Sequence, residues 1–174
     1  MGIQFETDYN METLTAMAKS LRKTVRKKRS RRVHIFAAVV LILGLLTILA
    51  TVAGGEPLGA SGVVTLLALL VVILVSLFED RLNAWFAKKR LLPGTEHAAA
   101  TFEEDGYVSA TGVTESRFSY AQIVAVAETA RYFVFALSSH HTQAYDKRTI
   151  RGGSVEDFRA FIAEKTGKLV ENIK

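Results

Sequence analysis

Val33 to Ala53 reads VHIFAAVVLILGLLTILATVA, and Ser61 to Phe78 reads SGVVTLLALLVVILVSLF. Neither run carries a full charge, and both are apolar all round, unlike a soluble helix that keeps one face for water. As helices rising about 1.5 Å per residue they would measure roughly 31 and 27 Å, close to the thickness of a bilayer's hydrocarbon core. Between them, Gly54-Gly55-Glu56-Pro57-Leu58-Gly59-Ala60 gathers helix breakers, as expected for the connection of a tight helical hairpin. Residues 33–93 therefore read as a transmembrane hairpin, with spans 33–53 and 61–78 and an interfacial helix over 79–92.

Charge sets the expected orientation. Lys plus Arg number 22 against 17 Asp plus Glu, a net charge of +5. By segment the net is +6 over residues 1–32, +1 over 33–93 and −2 over 94–174. The excess thus comes from one stretch, Arg22, Lys23, Arg26, Lys27, Lys28, Arg29, Arg31 and Arg32, directly before the first apolar run. Arg81, Lys88, Lys89 and Arg90 follow the second run, while the connecting loop has neither Lys nor Arg. The positive-inside rule then places both termini on the cytoplasmic side of a two-span protein in a bacterial inner membrane. A secretory signal ending at Thr51-Val52-Ala53 fits less well, because the apolar run exceeds a signal's core and another span follows at once.

Arg22, Lys23, Arg26, Lys27, Lys28, Arg29, Arg31, Arg32, Trp85, Lys88, Lys89 and Arg90 are the expected juxtamembrane lipid contacts, with Trp85 as an interfacial anchor. Nucleic acid is not an expected partner, because no aromatic residue interrupts Arg26 to Arg32 to stack a base. Within the spans, Gly44, Thr47, Thr51, Gly62, Thr65 and Ser76 suit helix packing or self-association, and a homo-oligomer is open. Apart from His34 at the cytoplasmic edge, which reads as an interfacial residue, no acid or base within them marks a transport pathway.

Upstream, Ile3 and Phe5 alternate with Gln4 and Glu6, so residues 2–7 read as a strand able to join a sheet of the C-terminal domain and cover its edge. Asn10 then caps a helix with Met11, Leu14 and Leu21 on one face. Beyond Pro93-Gly94 the period changes from about 3.6 to 2. His97–Glu104 and Tyr107–Thr111 flank Asp105-Gly106, a hairpin signal through its tolerance of positive φ. Further β-rich runs cover 114–120, 123–129, 131–138 and 142–150. Ser154 caps a last helix, with Asp157 as a partial capping box, and the helix ends near Gly167. The fold class is an α+β membrane protein, in which a two-helix hairpin is followed by a small antiparallel β roll or barrel closed by a C-terminal helix.

Several of these segments also carry a resemblance: Thr101-Phe102-Glu103-Glu104-Asp105-Gly106, Arg117-Phe118-Ser119-Tyr120-Ala121-Gln122-Ile123, Glu128-Thr129, Tyr132-Phe133-Val134-Phe135, Gln143-Ala144-Tyr145-Asp146-Lys147-Arg148 and Phe158-Arg159-Ala160-Phe161. Together they resemble the YcxB-like family of bacterial membrane proteins. The resemblance implies a basic stretch, two adjacent spans and a C-terminal domain similar to bacterial pleckstrin-homology folds, and it implies no ligand or reaction. Tyr120, where Trp is common, and Asp146, where Pro usually precedes Lys-Arg, depart from the family pattern.

Chemistry-bearing patterns are sparse. Without cysteine there is no disulfide, thiolate metal site or cysteine nucleophile. His140-His141 have no third ligand at a diagnostic spacing, and Glu103-Glu104-Asp105 border a turn. Gly152-Gly153 lack a Walker lysine, so no nucleotide or other cofactor is expected. Lys147, Arg148 and Arg151, just before a helix N-terminus, form the candidate anion or partner contact. No catalytic or metal residue is assigned. The expected function is non-enzymatic, an anchored β-rich interaction, scaffolding or regulatory module with a protein partner. The alternatives are an anionic-lipid-sensing module and a subunit of a membrane enzyme or transport complex.

Overall fold

The computed structural model describes residues 2–174. Strand β1 (Ile3–Asp8) leads through Asn10 into helix α1 (Met11–Lys23). The Asn10 Oδ1 atom accepts hydrogen bonds from the backbone amides of Glu12 and Thr13, at 2.9 and 3.0 Å, and so satisfies two of the free N–H groups of the first turn. Helices α2 (Lys27–Ala53) and α3 (Ala60–Leu77) form the hairpin, and α4 (Glu79–Lys89) follows after a break at Phe78. Both hairpin helices are long and apolar enough to cross a membrane, and none of their apolar length is buried within the chain. They pack closely where Gly44 faces Leu69, since a Cβ there would meet the Leu69 side chain at 2.6 Å. Helix α2 begins six residues before the apolar run, so the basic stretch from Lys27 onward is helical.

After the hairpin come β2 (His97–Phe102), β3 (Tyr107–Thr111), β4 (Glu115–Phe118), β5 (Ala125–Glu128), β6 (Tyr132–Ala136), β7 (Thr142–Asp146), helix α5 (Val155–Thr166) and β8 (Val170–Asn172). Two four-stranded sheets result, ordered β1-β2-β3-β4 and β7-β6-β5-β8. The N-terminal strand expected over residues 2–7 is β1. It lies antiparallel to β2 from Ile3 opposite Phe102 to Asp8 opposite His97, so the hairpin and its flanking helices are inserted between two paired strands. On its other side β1 meets the end of the second sheet. Gln4 exchanges backbone hydrogen bonds with Arg151, and the Thr149 hydroxyl donates to the Glu6 carbonyl and accepts from the Glu6 amide. Such an edge is not left open.

The main core is aromatic. Phe5, Phe102, Tyr107, Phe133, Phe135, Tyr145 and Phe158 are all buried, and the Phe5 ring sits 4.7 Å from Phe158 and 5.8 Å from Phe102. Every residue of β6 is buried, including the alternate set that a half-exposed strand would show to water. The reason is that Ala16 and Met17 of α1 cover Tyr132, Val134 and Ala144 on the outer face of that sheet. Thr13 ties the layers together, its hydroxyl donating to the Asp8 carbonyl (2.6 Å) and pairing with the Tyr132 hydroxyl (3.1 Å).

Three local expectations are corrected. The Asp105-Gly106 hairpin forms without positive φ at Gly106. Glycine is needed there because a Cβ would fall 2.5 Å from the Phe118 carbonyl oxygen. At the last helix the capping box is complete, because the Asp157 carboxylate accepts from the Ser154 amide while Ser154 Oγ accepts from the Asp157 amide. These bonds to the charged form hold the Asp157 carboxyl below its usual range. Finally, residues 170–172 form a strand parallel to β5.

Candidate functional site

The cations singled out in the C-terminal region meet carboxylates. Lys147 donates to Glu128 at 2.9 Å, and Arg159 of α5 grips the same carboxylate through Nε and Nη2 at 2.6 and 2.8 Å. Arg148 and Arg131 share the buried Asp146, and Arg131 also pairs with Glu12 of α1. Arg151 pairs with Glu6 of β1 at 3.3 Å. Lys147 therefore sits inside the fold, its side chain only 15% exposed, whereas Arg148 and Arg151 remain open to solvent on one side. The cluster seats β7, α5 and β1 against one another. Glu128 and Asp146 were the missing partners, and their distance along the chain hides them from a motif search.

The other weighed residues also have local roles. Glu103 pairs with Arg117 and Glu104 with Lys165, and the Tyr120 hydroxyl reaches the Glu103 and Gly106 carbonyls at 2.6 and 3.0 Å, bracing the turn. Burial, with the acids of that turn nearby, pushes the Tyr120 phenol up. His140 shares a 2.7 Å contact with Ser139, and His141 packs edge-on to Phe118.

The basic stretch before the first apolar run divides into two groups. Arg22 makes a bidentate bond to Asp80 in the first turn of α4, at 2.7 and 2.6 Å, Lys23 donates to the Lys174 carbonyl at 3.1 Å, and Arg26 donates to the Ser139 carbonyl at 2.6 Å. Arg22 thus joins α1 to α4, while Lys23 and Arg26 join the helices to the β domain. Lys27, Lys28, Arg29, Arg31 and Arg32 are exposed, as are Lys88, Lys89 and Arg90. On α4, Ala84 is fully buried, while Leu82, Trp85 and Phe86 are at least a third exposed and the Lys89 ammonium lies 3.7 Å from the Trp85 ring centre. The helix read from sequence as interfacial thus packs one small-residue face on α1 and keeps its large apolar face free. Glu79 and Asp80 escaped notice because two acids after a span have no signature of their own; their meaning appears only opposite Arg22.

A double-mutant cycle tests that link. Arg22→Ala and Asp80→Ala are each expected to lower unfolding stability by about 1–2 kcal/mol, with the double substitution costing little more than either. Thermal unfolding of the full chain in detergent reads the coupling, and strictly additive losses would remove the pair from any role in joining α1 to α4.

A further opening lies elsewhere. A groove of about 740 Å³ runs between α1, the β5–β6 turn and the C-terminal strand. Its floor is formed by Ala16, Ala130, Tyr132 and Ile173, and Lys19, Arg81 and Lys174 stand along its rim. Arg81, in the first turn of α4, brings that rim close to the end of α3. Among the described residues the one acidic side chain of the lining, Glu12, is already engaged by Arg131, and Lys19 and Arg81 have no carboxylate within 4.0 Å, so the groove combines apolar surface with free positive charge. Periodicity cannot reveal such a site, because it is assembled from four separated segments, two of which are turn or tail.

No curated protein and no solved structure matches the chain. Residues 102–162, from the end of β2 into α5, match the family model described as YcxB-like protein.

Proposed function

We propose that this chain is a non-enzymatic module of the bacterial inner membrane. In this reading α2 and α3 cross the bilayer, both termini lie in the cytoplasm, and the β domain binds an acidic, partly apolar segment of a protein partner. The strand order, four antiparallel strands, then three, then α5, supports reading the domain as pleckstrin-homology-like, with the hairpin inserted between its first and second strands. Pairing of β1 with β2 supports the topology independently of the positive-inside bias. Strands on either side of residues 9–96 cannot pair across a bilayer, so any membrane that α2 crosses must be recrossed by α3.

The observation that carries the binding reading is the groove, with its apolar floor of Ala16, Ala130, Tyr132 and Ile173 and its rim of Lys19, Arg81 and Lys174. Apolar contact would supply affinity, and the rim would select acidic partners and steer their approach. The buried ionic groups give no support for a reaction, since Glu128 and Asp146 are each held by two cations.

A photoreactive residue at Thr15, which lines the groove, tests this in intact membranes. A reproducible protein adduct that disappears in K19E/R81E is the expected result. Lipid adducts alone, or protein adducts unchanged by K19E/R81E, would overturn it.

A further inference from the structure

A second concavity lies where the hairpin meets the domain. Lys27, Ser30, Arg31 and His34 recur at helical spacing and share one face of α2. With Arg22 and Lys23 behind them and Glu171 and Ile173 of the C-terminal strand opposite, they line a cleft of about 490 Å³. Its charge is unbalanced. Arg22 is bound to Asp80 and Lys23 is turned to the Lys174 carbonyl, whereas among the described residues Lys27 and Arg31 have no carboxylate within 4.0 Å. The His34 Nδ1 atom is 2.9 Å from the Ser30 carbonyl and its Nε2 faces Glu79 at 3.7 Å, so the far end of the cleft is closed by groups that already have partners.

Depth along α2 decides what such a cleft would meet. Arg31 lies two residues before Val33, where the uninterrupted apolar run begins, and Lys27 lies one turn further out. With the apolar run in the hydrocarbon layer, Lys27 and Arg31 stand at the level of lipid phosphates.

We propose that this cleft is a binding site for the phosphate of an anionic phospholipid headgroup, with Lys27 and Arg31 as its direct contacts. The Arg31 guanidinium can engage phosphate oxygens in pairs, and the Lys27 ammonium adds a point charge. Lys28, Arg29 and Arg32 lie on other faces of the same turns and act as diffuse surface charge. Because Glu171 and Ile173 form the opposite wall, a bound headgroup bridges the hairpin and the β domain and fixes how the domain sits on the membrane. Glu171 opposes the ligand's charge and limits its affinity. The proposal rests on the membrane placement of the hairpin and is independent of what occupies the groove.

The test uses the full chain in detergent, titrated with phosphatidylglycerol or phosphatidylcholine, with bound lipid counted by native mass spectrometry. K27Q/R31Q is expected to weaken phosphatidylglycerol binding about tenfold, and K28Q/R29Q, which removes the same charge outside the cleft, less than about twofold. E171Q is expected to tighten it, and phosphatidylcholine is expected to bind weakly in every variant. Equal losses in the two double variants would reduce the site to diffuse charge and overturn the proposal. Displacement of the lipid by inorganic phosphate would reassign the cleft to a soluble anion, with the same consequence. A chain that stays in solution without detergent would overturn the membrane reading together with the lipid site.

Discussion

Replacing Phe5 by Ala is expected to cost about 3–5 kcal/mol and to unfold the β domain while leaving the two long helices intact. Phe5 lies some ninety residues before the strand it pairs beside, yet its ring contacts Phe102, Phe133, Tyr145 and Phe158 and is 1% exposed. Truncation would leave a cavity among four aromatic rings that have little freedom to close it. Deleting residues 2–8 goes further, since it also strands the backbone edge of β2 and the contacts of Thr149 and Arg151. A fragment of residues 94–174 is accordingly expected to show no cooperative unfolding transition. Because α1 covers the outer face of β6, the comparison chain keeps residues 2–24 and joins them to residue 94 through a flexible linker in place of residues 25–93. That linked chain should unfold cooperatively in urea where the fragment does not. Equal stability of the two would remove β1 from any structural role in the sheet. Gly152 adds a local check, because its φ of +83° and the Gly2 carbonyl oxygen, 2.6 Å from where a Cβ would stand, both reflect the close approach of β1.

The consequence for biogenesis is direct. β1 leaves the ribosome before β2 but cannot pair until the hairpin and β2 have followed, so pairing of β1 with β2 requires both ends of the hairpin on one side. Period-two alternation at Ile3 and Phe5 is enough to read β1 as a strand, and the all-round apolar runs are enough to place α2 and α3, though not the helical extension of α2 back to Lys27. Side-chain caps at Asn10 and Ser154 were legible because they act within three residues. By contrast, β8 has three residues and no period of its own, and it is a strand only because β5 presents an edge to it. Lys147 looked like a free cation because its partner, Glu128, is 19 residues away on another strand. The groove and the cleft both depend on the C-terminal tail returning to α1 and α2, a long-range event with no local pattern to announce it.

Glu128 is expected to be the most sensitive charged residue in the molecule. It is 6% exposed and holds both Lys147 and Arg159, so Glu128→Ala would leave the largely buried Lys147 without a counter-charge and Arg159, which is more exposed, with only Glu156 at 3.8 Å. The expected loss is about 3–5 kcal/mol, well above that of an exposed pair. Hydrogen bonds from Arg159, then from Lys147, hold the Glu128 carboxyl below its ordinary value of 4.5. A depressed value means that the contribution is fully present above pH 4.5 and is lost as the pH falls through the folded-state value. Urea unfolding of the full chain in detergent should therefore show an acid-side decline in stability that is shallower in Glu128→Gln, whose amide cannot titrate. Identical pH profiles would exclude Glu128 as the origin. Replacing the whole cluster, E128L/K147M/R159M, should recover much of the stability lost in Glu128→Ala, because it removes the charges together with their need for partners. Lys147→Met alone should then affect stability but neither groove adducts nor lipid binding once the folded fraction is taken into account. That separation distinguishes a cation that holds β7 to α5 from one that meets a ligand.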